Sequence, residues 1–478
     1  MNILFKKNFI NTFLISFSSF LQIVALAVLS RRLGDSSYGE FVQFISLVMI
    51  ISGVSHFGMP NAILRWGAIY RQNNQNDSTK YLLMFSFISS SILTGLVLVL
   101  LSILDTYFYN IPYLKFFIIV PLWVNNELLA SFARANEDTA KYFIIKNIIP
   151  IITQIFGYIY IDDITLISVL NIFILSYVIS ISYGITVLIS KINDKQILGK
   201  KTNLKEPSPI VSYFKFGIAG TFIGFLWAAK GRVIVLLTGY YIGPIEAGYV
   251  YNASRFSFVF TLLLSGINIL LGPQVARLHH QGRISELQKI YENYIKWVVI
   301  ITFPILVFIG FESKLIMGIL FGQGKDLAGE ILFYSSFFCF LSLLAGSPGL
   351  ILQMSGFPKY EVYTTALSVI LGSFTVLFAQ EFYGVVGGVI AIGFTAVIID
   401  QYRSWFVYKK VGILAVHYKD LVIISIFLLS ILFLKGIITS IYFSIIISFI
   451  VSIGLVYMLL DRTEIKNILP IKDVRNKR

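Results

Sequence analysis

The chain has a single cysteine, Cys339, which excludes a disulfide framework within it, and four histidines, too few and too scattered for a histidine-built metal centre. Charge is scarce as well. Asp, Glu, Lys and Arg supply 13% of the 478 residues, and acids are the rarer sign, 24 against 38 bases, for a net charge of +14. So dilute a charge excludes a disordered chain and an ordinary water-soluble domain, whose charged fraction is about a quarter. What is present instead is apolar: 57% of residues are hydrophobic, and 42 Phe and 27 Tyr are among them.

Apolar stretches near twenty residues long recur throughout. Each is long enough to cross a hydrocarbon core of about 30 Å at about 1.5 Å per residue. Between charged or Gly/Pro-rich breaks, spans fall near 9–30, 39–62, 80–104, 114–134, 141–161, 164–190, 211–239, 247–275, 294–311, 328–352, 361–380, 384–408, 420–438 and 441–460. The expected fold class is all-α, a polytopic membrane protein of about fourteen transmembrane helices, of which the last two are the least clearly separate. The first span follows Lys6 and Lys7, is too long for a signal-peptide core and ends in Arg31-Arg32 without a small-residue cleavage site, so it is expected to stay attached.

Cytoplasmic loops carry an excess of Lys and Arg. With both termini inside, the external loops hold only Arg31, Arg32, Lys115, Lys314 and Lys325, and most other bases fall in internal segments. This inner-leaflet bias of a polytopic protein accounts for the net charge without a nucleic-acid partner.

The chain also echoes itself. Leu33-Gly34-Asp35-Ser36-Ser37-Tyr38-Gly39-Glu40-Phe41 resembles Ile242-Gly243-Pro244-Ile245-Glu246-Ala247-Gly248-Tyr249-Val250, and further along Ser52-Gly53 precedes Pro60 as Ser265-Gly266 precedes Pro273. The copies lie an even number of helices apart, so they enter the membrane in the same direction as parallel repeats. The expected organisation is a six-helix lobe over 1–190, a basic cytoplasmic linker over 191–210, a second six-helix lobe over 211–410, and helices 13 and 14 with a basic tail over 411–478. The segment Arg277 to Lys296 has Ile284, Leu287, Ile290, Tyr291 and Tyr294 at helical spacing and is expected to lie along the inner interface.

Function is sought among ionisable groups inside the spans, where a charge is costly unless it faces water, a partner or a substrate. These are Glu127, Lys146, Lys230, Arg232, Arg255 and His56. Lys146, one turn from an expected inner edge, reads as a snorkelling side chain, and His56 as a hydrogen-bonded structural one. Lys230, Arg232 and Arg255 read as a cationic patch. Lys230 and Arg232 are two residues apart, roughly 200° on a regular helix, so both face one cavity only if Gly231 breaks the helix. The alternative is an intramembrane ion pair, for which Glu127 is the obvious partner. Arg232 and Arg255 suit a phosphate contact better than Lys230, because a guanidinium offers a bidentate fork. Asn125, Asn126, Trp227 and Asn252 are polar or aromatic groups placed to recognise a sugar. Glu127 is also the one acid deep enough to carry a coupling ion, H+ or Na+. Pro60, Pro121, Pro150, Pro273, Pro304 and Pro348 lie in or beside spans and are expected to bend them. Gly322-Gln323-Gly324-Lys325-Asp326 lacks the pattern of a phosphate loop, Asp162-Asp163 reads as a helix cap, and no metal or bound cofactor is expected.

Two parallel lobes, a basic linker, the Leu-Gly-x-x-x-Tyr-Gly-x-Phe turn at Leu33 to Phe41 and an added C-terminal pair together resemble the multidrug/oligosaccharidyl-lipid/polysaccharide exporter superfamily. Within it the chain is similar to Wzx-type bacterial flippases of O-antigen and capsule synthesis, over roughly residues 5–460. The resemblance implies translocation of an undecaprenyl-diphosphate-linked oligosaccharide to the outer leaflet through a cationic cavity between the lobes, in company with membrane lipids and polysaccharide polymerase machinery. A peptidoglycan-precursor flippase is the near alternative. A cation-coupled drug exporter fits less well, because span 1 has no acid and span 7 carries bases. A membrane polymerase or glycosyltransferase would bring a sizeable external loop or an acidic metal motif, and the sequence has neither.

Overall fold

A computed structural model describes residues 2–72, 76–107, 113–192, 209–322 and 325–415, with scattered positions from 423 to 458. The linker expected over 191–210 lies almost wholly outside the described residues, as do most of helices 13 and 14 and the basic tail. All described regular structure is helical. Among the described residues, ten segments are long and apolar enough to cross a membrane. Their outer faces carry large apolar side chains, such as Met84, Ile92 and Leu96 or Phe374 and Phe378. In water such faces would be untenable; in a bilayer they are the solvated surface.

The order is α1 (Asn2–Leu33), α2 (Asp35–Ser55), α3 (Met59–Gln72), α4 (Asn76–Tyr107), a short 3-10 turn (Leu114–Ile118) running into α5 (Ile119–Ala135), and α6 (Thr139–Phe143). A π turn (Ile144–Ile148) joins α6 to α7 (Ile149–Tyr160), and α8 (Leu166–Ile192), α9 (Pro209–Lys230), α10 (Val233–Tyr241) and α11 (Pro244–His280) follow. The series ends with α12 (Ile284–Phe321), α13 (Asp326–Leu344), α14 (Pro348–Met354) and α15 (Pro358–Val411).

Several boundaries depart from the hydrophobic windows. The span expected over 39–62 is two helices, because Phe57 and Gly58 take left-handed backbone angles (φ 49° and 62°) and turn the chain between α2 and α3. The segment expected to lie on the inner interface is instead the first part of α12: Leu287, Tyr291 and Ile295 are fully buried, so its apolar stripe packs on protein rather than on lipid headgroups. Asp162-Asp163 does not cap α8. Thr165 and Ser168 do, each side-chain oxygen accepting the other's backbone N–H at 3.2 and 2.8 Å.

The 54 residues of α15 form a hairpin. Gly384 has φ 62° and ψ −158°, far from helical, and a Cβ on Gly388 would lie 2.5 Å from Cγ of Gln380, which a straight helix would hold two turns away. Arg403 meets Thr364 and Thr365 lower down the same pair of arms. The two spans expected at 361–380 and 384–408 are these arms.

Packing divides the chain into two units, one of residues 1–252 and 368–388, the other of residues 253–367 and 389–478. In the first, α5 is central. Leu129, Ala130 and Ala133 are buried, and Ile145 and Val187 close around them from the π turn and α8. α9 crosses α2 and α3 along glycines: Gly53 against Gly224, Gly58 against Gly220, and Gly217 against the ring of Phe57. Small residues let backbones approach where lipid gives no hydrophobic drive for helices to associate. In the second unit α12 and α13 pack around Phe303 and Phe340, with ring centroids 5.9 Å apart, and Phe260 sits on Phe340 at 6.4 Å.

The second unit also holds a buried charge cluster at the open end of the α15 hairpin. Arg403 and Glu361 each expose 6% of the side chain, with Nε 3.0 Å from Oε2, while Nη1 donates to Asp400 at 3.1 Å. Thr364 accepts from Nε at 2.8 Å and Thr365 from Nη2 at 3.3 Å. The carboxylate of Glu361 presses on Gly349 of α14, where a Cβ would meet Oε2 at 2.5 Å. Beside it, Tyr291 accepts the backbone N–H of Ser347 at 2.9 Å and donates to the carbonyl of Ala345 at 3.3 Å, fixing the break between α13 and α14.

Candidate functional site

The first unit gathers polar groups around one proline. Pro150 has no N–H for the carbonyl of Lys146, and its ring crowds that carbonyl. The helix responds by widening: the N–H of Ile149 bonds back to Ile144, five residues earlier, and Ile144–Ile148 form a π turn. The carbonyl of Ile145 takes side-chain donors instead, Nδ2 of Asn126 at 3.1 Å and the hydroxyl of Ser180 at 2.5 Å. That hydroxyl also lies 2.9 Å from Oδ1 of Asn126, so it donates to one acceptor at a time. Asn126, expected to face a sugar, is a buried strut between α5, α8 and the π turn. Asn125 beside it is half-buried.

The π turn aims Lys146 at Glu127. Nζ lies 2.7 Å from Oε1, and both side chains are partly exposed, at 33% and 20%. Lys146 is therefore not a snorkelling side chain, and the intramembrane partner of Glu127 is Lys146 rather than Lys230, Arg232 or Arg255. Aromatic groups surround the pair. Lys146 lies 5.4 Å from the centroid of Tyr142, Tyr177 is within electrostatic reach of Glu127, and Trp123 packs on Tyr177 at 5.3 Å. His56 is within reach of both charges, and its Nδ1 accepts the N–H of Gly58 at 3.2 Å while its carbonyl accepts from Ser90 at 3.1 Å. These bonds fix the turn between α2 and α3.

At the far end of α9 the helix stops at Lys230 and resumes at Val233, with Arg232 at φ −126°. Gly231 does mark a break. Lys230 and Arg232 are therefore freed from the 200° separation of a continuous helix. Nε of Arg232 donates to the thioether of Met49 at 3.1 Å and Nη1 to the carbonyl of Gly231 at 3.0 Å, leaving the guanidinium half-buried against α2. Lys230 is half-buried and makes no ion pair among the described residues. Trp227 is 54% exposed. Arg255 is half-buried in α11 and belongs to the second unit, so it is not brought beside Lys230 and Arg232 within one unit.

Asn252 is fully buried, and its Oδ1 accepts a short hydrogen bond from Tyr38. The hydroxyl of Tyr249 reaches Asp35 at 3.3 Å. These two bonds join the echoing segments: the turn after α1 lies against the start of α11. Sequence reasoning missed this meeting and the pairing of Lys146. The echo itself was the available signal for the first, and Pro150 for the second. Sequence reasoning also passed over the buried pair of Arg403 and Glu361, which lie near the ends of the spans expected at 384–408 and 361–380. Arg32, one of the exceptions to the charge asymmetry, bonds the carbonyls of Tyr158, Ile159 and Asp162 at 2.5, 2.7 and 3.0 Å, closing the C-terminal end of α7.

Among the described residues no group of three or more His, Cys, Asp and Glu is placed to hold a metal. What the first unit offers is a partly exposed ion pair, aromatic walls and a cation at a helix break.

The chain is 22% identical over 412 residues, 83% of its length and 84% of the relative's, to the protein named "Probable low-salt glycan biosynthesis flippase Agl15" of Haloferax volcanii. Among solved structures it resembles the lipid II flippase MurJ in an inward closed conformation, with a TM-score of 0.73 and 14% identity, covering 96% of this chain and 100% of that one. It also resembles an inward-facing multidrug resistance MATE family transporter of the MOP superfamily, with a TM-score of 0.68 and 12% identity, covering 83% and 94% of the two chains. These likenesses show a shared fold. The family described as "Polysaccharide biosynthesis protein" matches residues 28–325, and the chain belongs to that family.

Proposed function

We propose that this protein is a flippase that moves lipid-linked oligosaccharide repeat units from the cytoplasmic to the outer leaflet of a bacterial cytoplasmic membrane, with both termini inside. Undecaprenyl diphosphate is the proposed carrier, and O-antigen, capsule or a related surface polymer the proposed destination. The observation that carries this is the Glu127–Lys146 pair with its aromatic surround, a charged and partly exposed site within the membrane-length helices of the first unit. Family membership and the flippase relative support the substrate class. Lys230 and Arg232 supply phosphate contacts from the break at Gly231, and Arg255 supplies one from α11. Glu127 carries the coupling proton or sodium ion; when it is neutralised, Lys146 is released from its partner and the pair goes from net neutral to a net positive charge.

The test is deletion of the gene in its host, with lipid-linked repeat units located by a sugar-modifying enzyme that reaches one leaflet only. Accumulation confined to the cytoplasmic leaflet and reversed by the intact gene is expected. Unjoined repeat units on the outer face would point to a polymerase instead. A normal polymer with arrested cell-wall growth would point to a peptidoglycan precursor as the cargo.

A further inference from the structure

A groove of about 420 Å3 runs along the lipid-facing side of the first unit, lined almost wholly by apolar groups. Its long wall is α4, where Met84, Ile88, Ile92 and Leu96 recur at helical spacing, and Phe57 and Phe214 form the opposite side. From Tyr81 to Leu96 the wall is about 22 Å long at 1.5 Å per residue. Phe57 stands there only because the chain adopts φ 49° at that residue, a conformation disfavoured for any residue but glycine. Gly217 leaves room for the ring, which packs on Phe214 at 5.6 Å. A strained aromatic that shapes a groove wall is an outlier that calls for a function.

A ladder of rings connects the groove wall to a cation. Phe85, on its wall, packs on Tyr213 at 5.7 Å; Tyr213 packs on Trp66 at 5.0 Å; and Trp66 packs on Phe216 at 5.0 Å. The guanidinium of Arg65 lies 5.2 Å from the ring of Trp66 and 5.9 Å from that of Phe216, exposed on α3. Nearby Arg71 has a carboxylate, Glu137, at 3.9 Å. Arg65 has none among the described residues. A guanidinium beside aromatic rings and without a carboxylate partner keeps its planar fork of N–H donors available, the geometry that a phosphate accepts. The buried hydroxyl pair of Tyr70 and Tyr213 ties α3 to α9 beneath this ladder, so the cation and the groove are held on one frame.

We infer that the groove and Arg65 form a single lipid site for the polyprenyl phosphate end of the substrate, the isoprenoid chain along α4 and the phosphate on Arg65. This rests on the lipid-linked-glycan reading above. An apolar slot alone would hold any bilayer chain. The exposed cation carried on the same frame selects a chain that bears a phosphate, and with the termini inside, as proposed above, that cation belongs to the cytoplasmic half, where such a substrate is made. The site lies outside the charge pair at Glu127 and Lys146 and serves to load the lipid before its sugars enter the bundle.

The full-length protein is reconstituted in phosphatidylethanolamine–phosphatidylglycerol vesicles with undecaprenyl phosphate bearing a diazirine on a tail isoprene, and crosslinked residues are mapped by mass spectrometry. Labelling is expected on α4 between Met84 and Leu96. Excess lipid-linked oligosaccharide should suppress it and added phosphatidylglycerol should not, and Arg65→Gln should lower it about tenfold at limiting probe, as for one charge-assisted contact. Ile88→Trp, which fills the groove from a lipid-exposed position, should abolish it, while Val99→Trp on the same helix should not. Labelling spread evenly to Val99 and Ile103, or displaced by phosphatidylglycerol, would overturn the site as ordinary bilayer contact. Translocation of a fluorescent lipid-linked oligosaccharide in the same vesicles separates the two ideas: translocation with spread labelling sinks the site alone, and focused labelling without translocation sinks the transport reading alone.

Discussion

Gly39 and Gly248, which hold the same place in the two echoing segments, meet in the folded chain: a Cβ on Gly248 would lie 3.7 Å from Cα of Gly39. The two sites are not equally tight. A Cβ on Gly39 would fall 1.8 Å from the carbonyl oxygen of Pro244, a backbone atom that cannot swing aside. A Cβ on Gly248 would lie 3.2 Å from the ring of Tyr38, which can give by tenths of an ångström. Gly39→Ala should therefore cost about 1–3 kcal/mol or force α2 and α11 apart, whereas Gly248→Ala should cost well under that. Thermal unfolding of the two variants in the same detergent checks this; equal melting temperatures would mean that α2 and α11 do not cross so closely.

The Glu127–Lys146 pair predicts a non-additive series. Removing either charge alone leaves the other in a low-dielectric surround. The double change Glu127→Gln with Lys146→Gln leaves none. Because both groups are partly hydrated, each single change should cost on the order of 1–2 kcal/mol in stability, less than a fully buried pair would, and the double change should recover part of that. Transport should fail in all three if Glu127 carries the coupling ion. A double variant that transports as the wild type does would remove the coupling role and leave a structural strut.

Much of the fold was legible because its cause is composition: long apolar runs impose helices of membrane length wherever they occur, and the arms of α15 fell close to their expected limits. What was not legible turned on single residues. Phe57 has no sequence mark of a left-handed conformation, so α2 and α3 read as one span. Lys146 reads as a snorkelling lysine until Pro150 widens the helix and redirects it. Ile284 to Tyr294 has the periodicity of an interfacial helix, and whether such a stripe meets lipid or protein depends on the partners that α12 finds. Asn126 and Asn252 were identified as polar groups inside the bundle; their engagement with Ile145 and Tyr38 depends on helix neighbours far away in sequence.

The cluster at the base of the α15 hairpin predicts a large loss from a small change. Arg403→Leu leaves Glu361 and Asp400 without their cation and two threonine hydroxyls without a donor. The expected cost is about 3–5 kcal/mol, the range for breaking a fully buried ion pair. Arg403→Lys should recover little, since an ammonium cannot reproduce a fork shared among Glu361, Asp400, Thr364 and Thr365. Protein abundance and melting temperature measure both, and a lysine variant as stable as the wild type would show that charge alone, without the fork, suffices.

The break between α9 and α10 separates a binding role from a structural one. At Gly231 a Cβ would meet nothing within 4 Å, and the backbone is not left-handed, so Gly231→Ala fits the fold without clash. Alanine nevertheless favours helix over glycine by about 1 kcal/mol, which biases the chain toward one continuous helix and swings Lys230 and Arg232 back toward opposite faces. If the break positions these cations for a phosphate, Gly231→Ala should lower transport several-fold at normal abundance, and Lys230→Gln and Arg232→Gln should each do the same. Adding either Gln change to Gly231→Ala should then cost little more, because the cations have already been misplaced. Transport of lipid-linked oligosaccharide into vesicles, scored per molecule of folded protein, reads all of these. Full transport in Gly231→Ala together with loss in Arg232→Gln would keep the cation and discard the break, and full transport in every variant would move the phosphate contact away from α9 altogether.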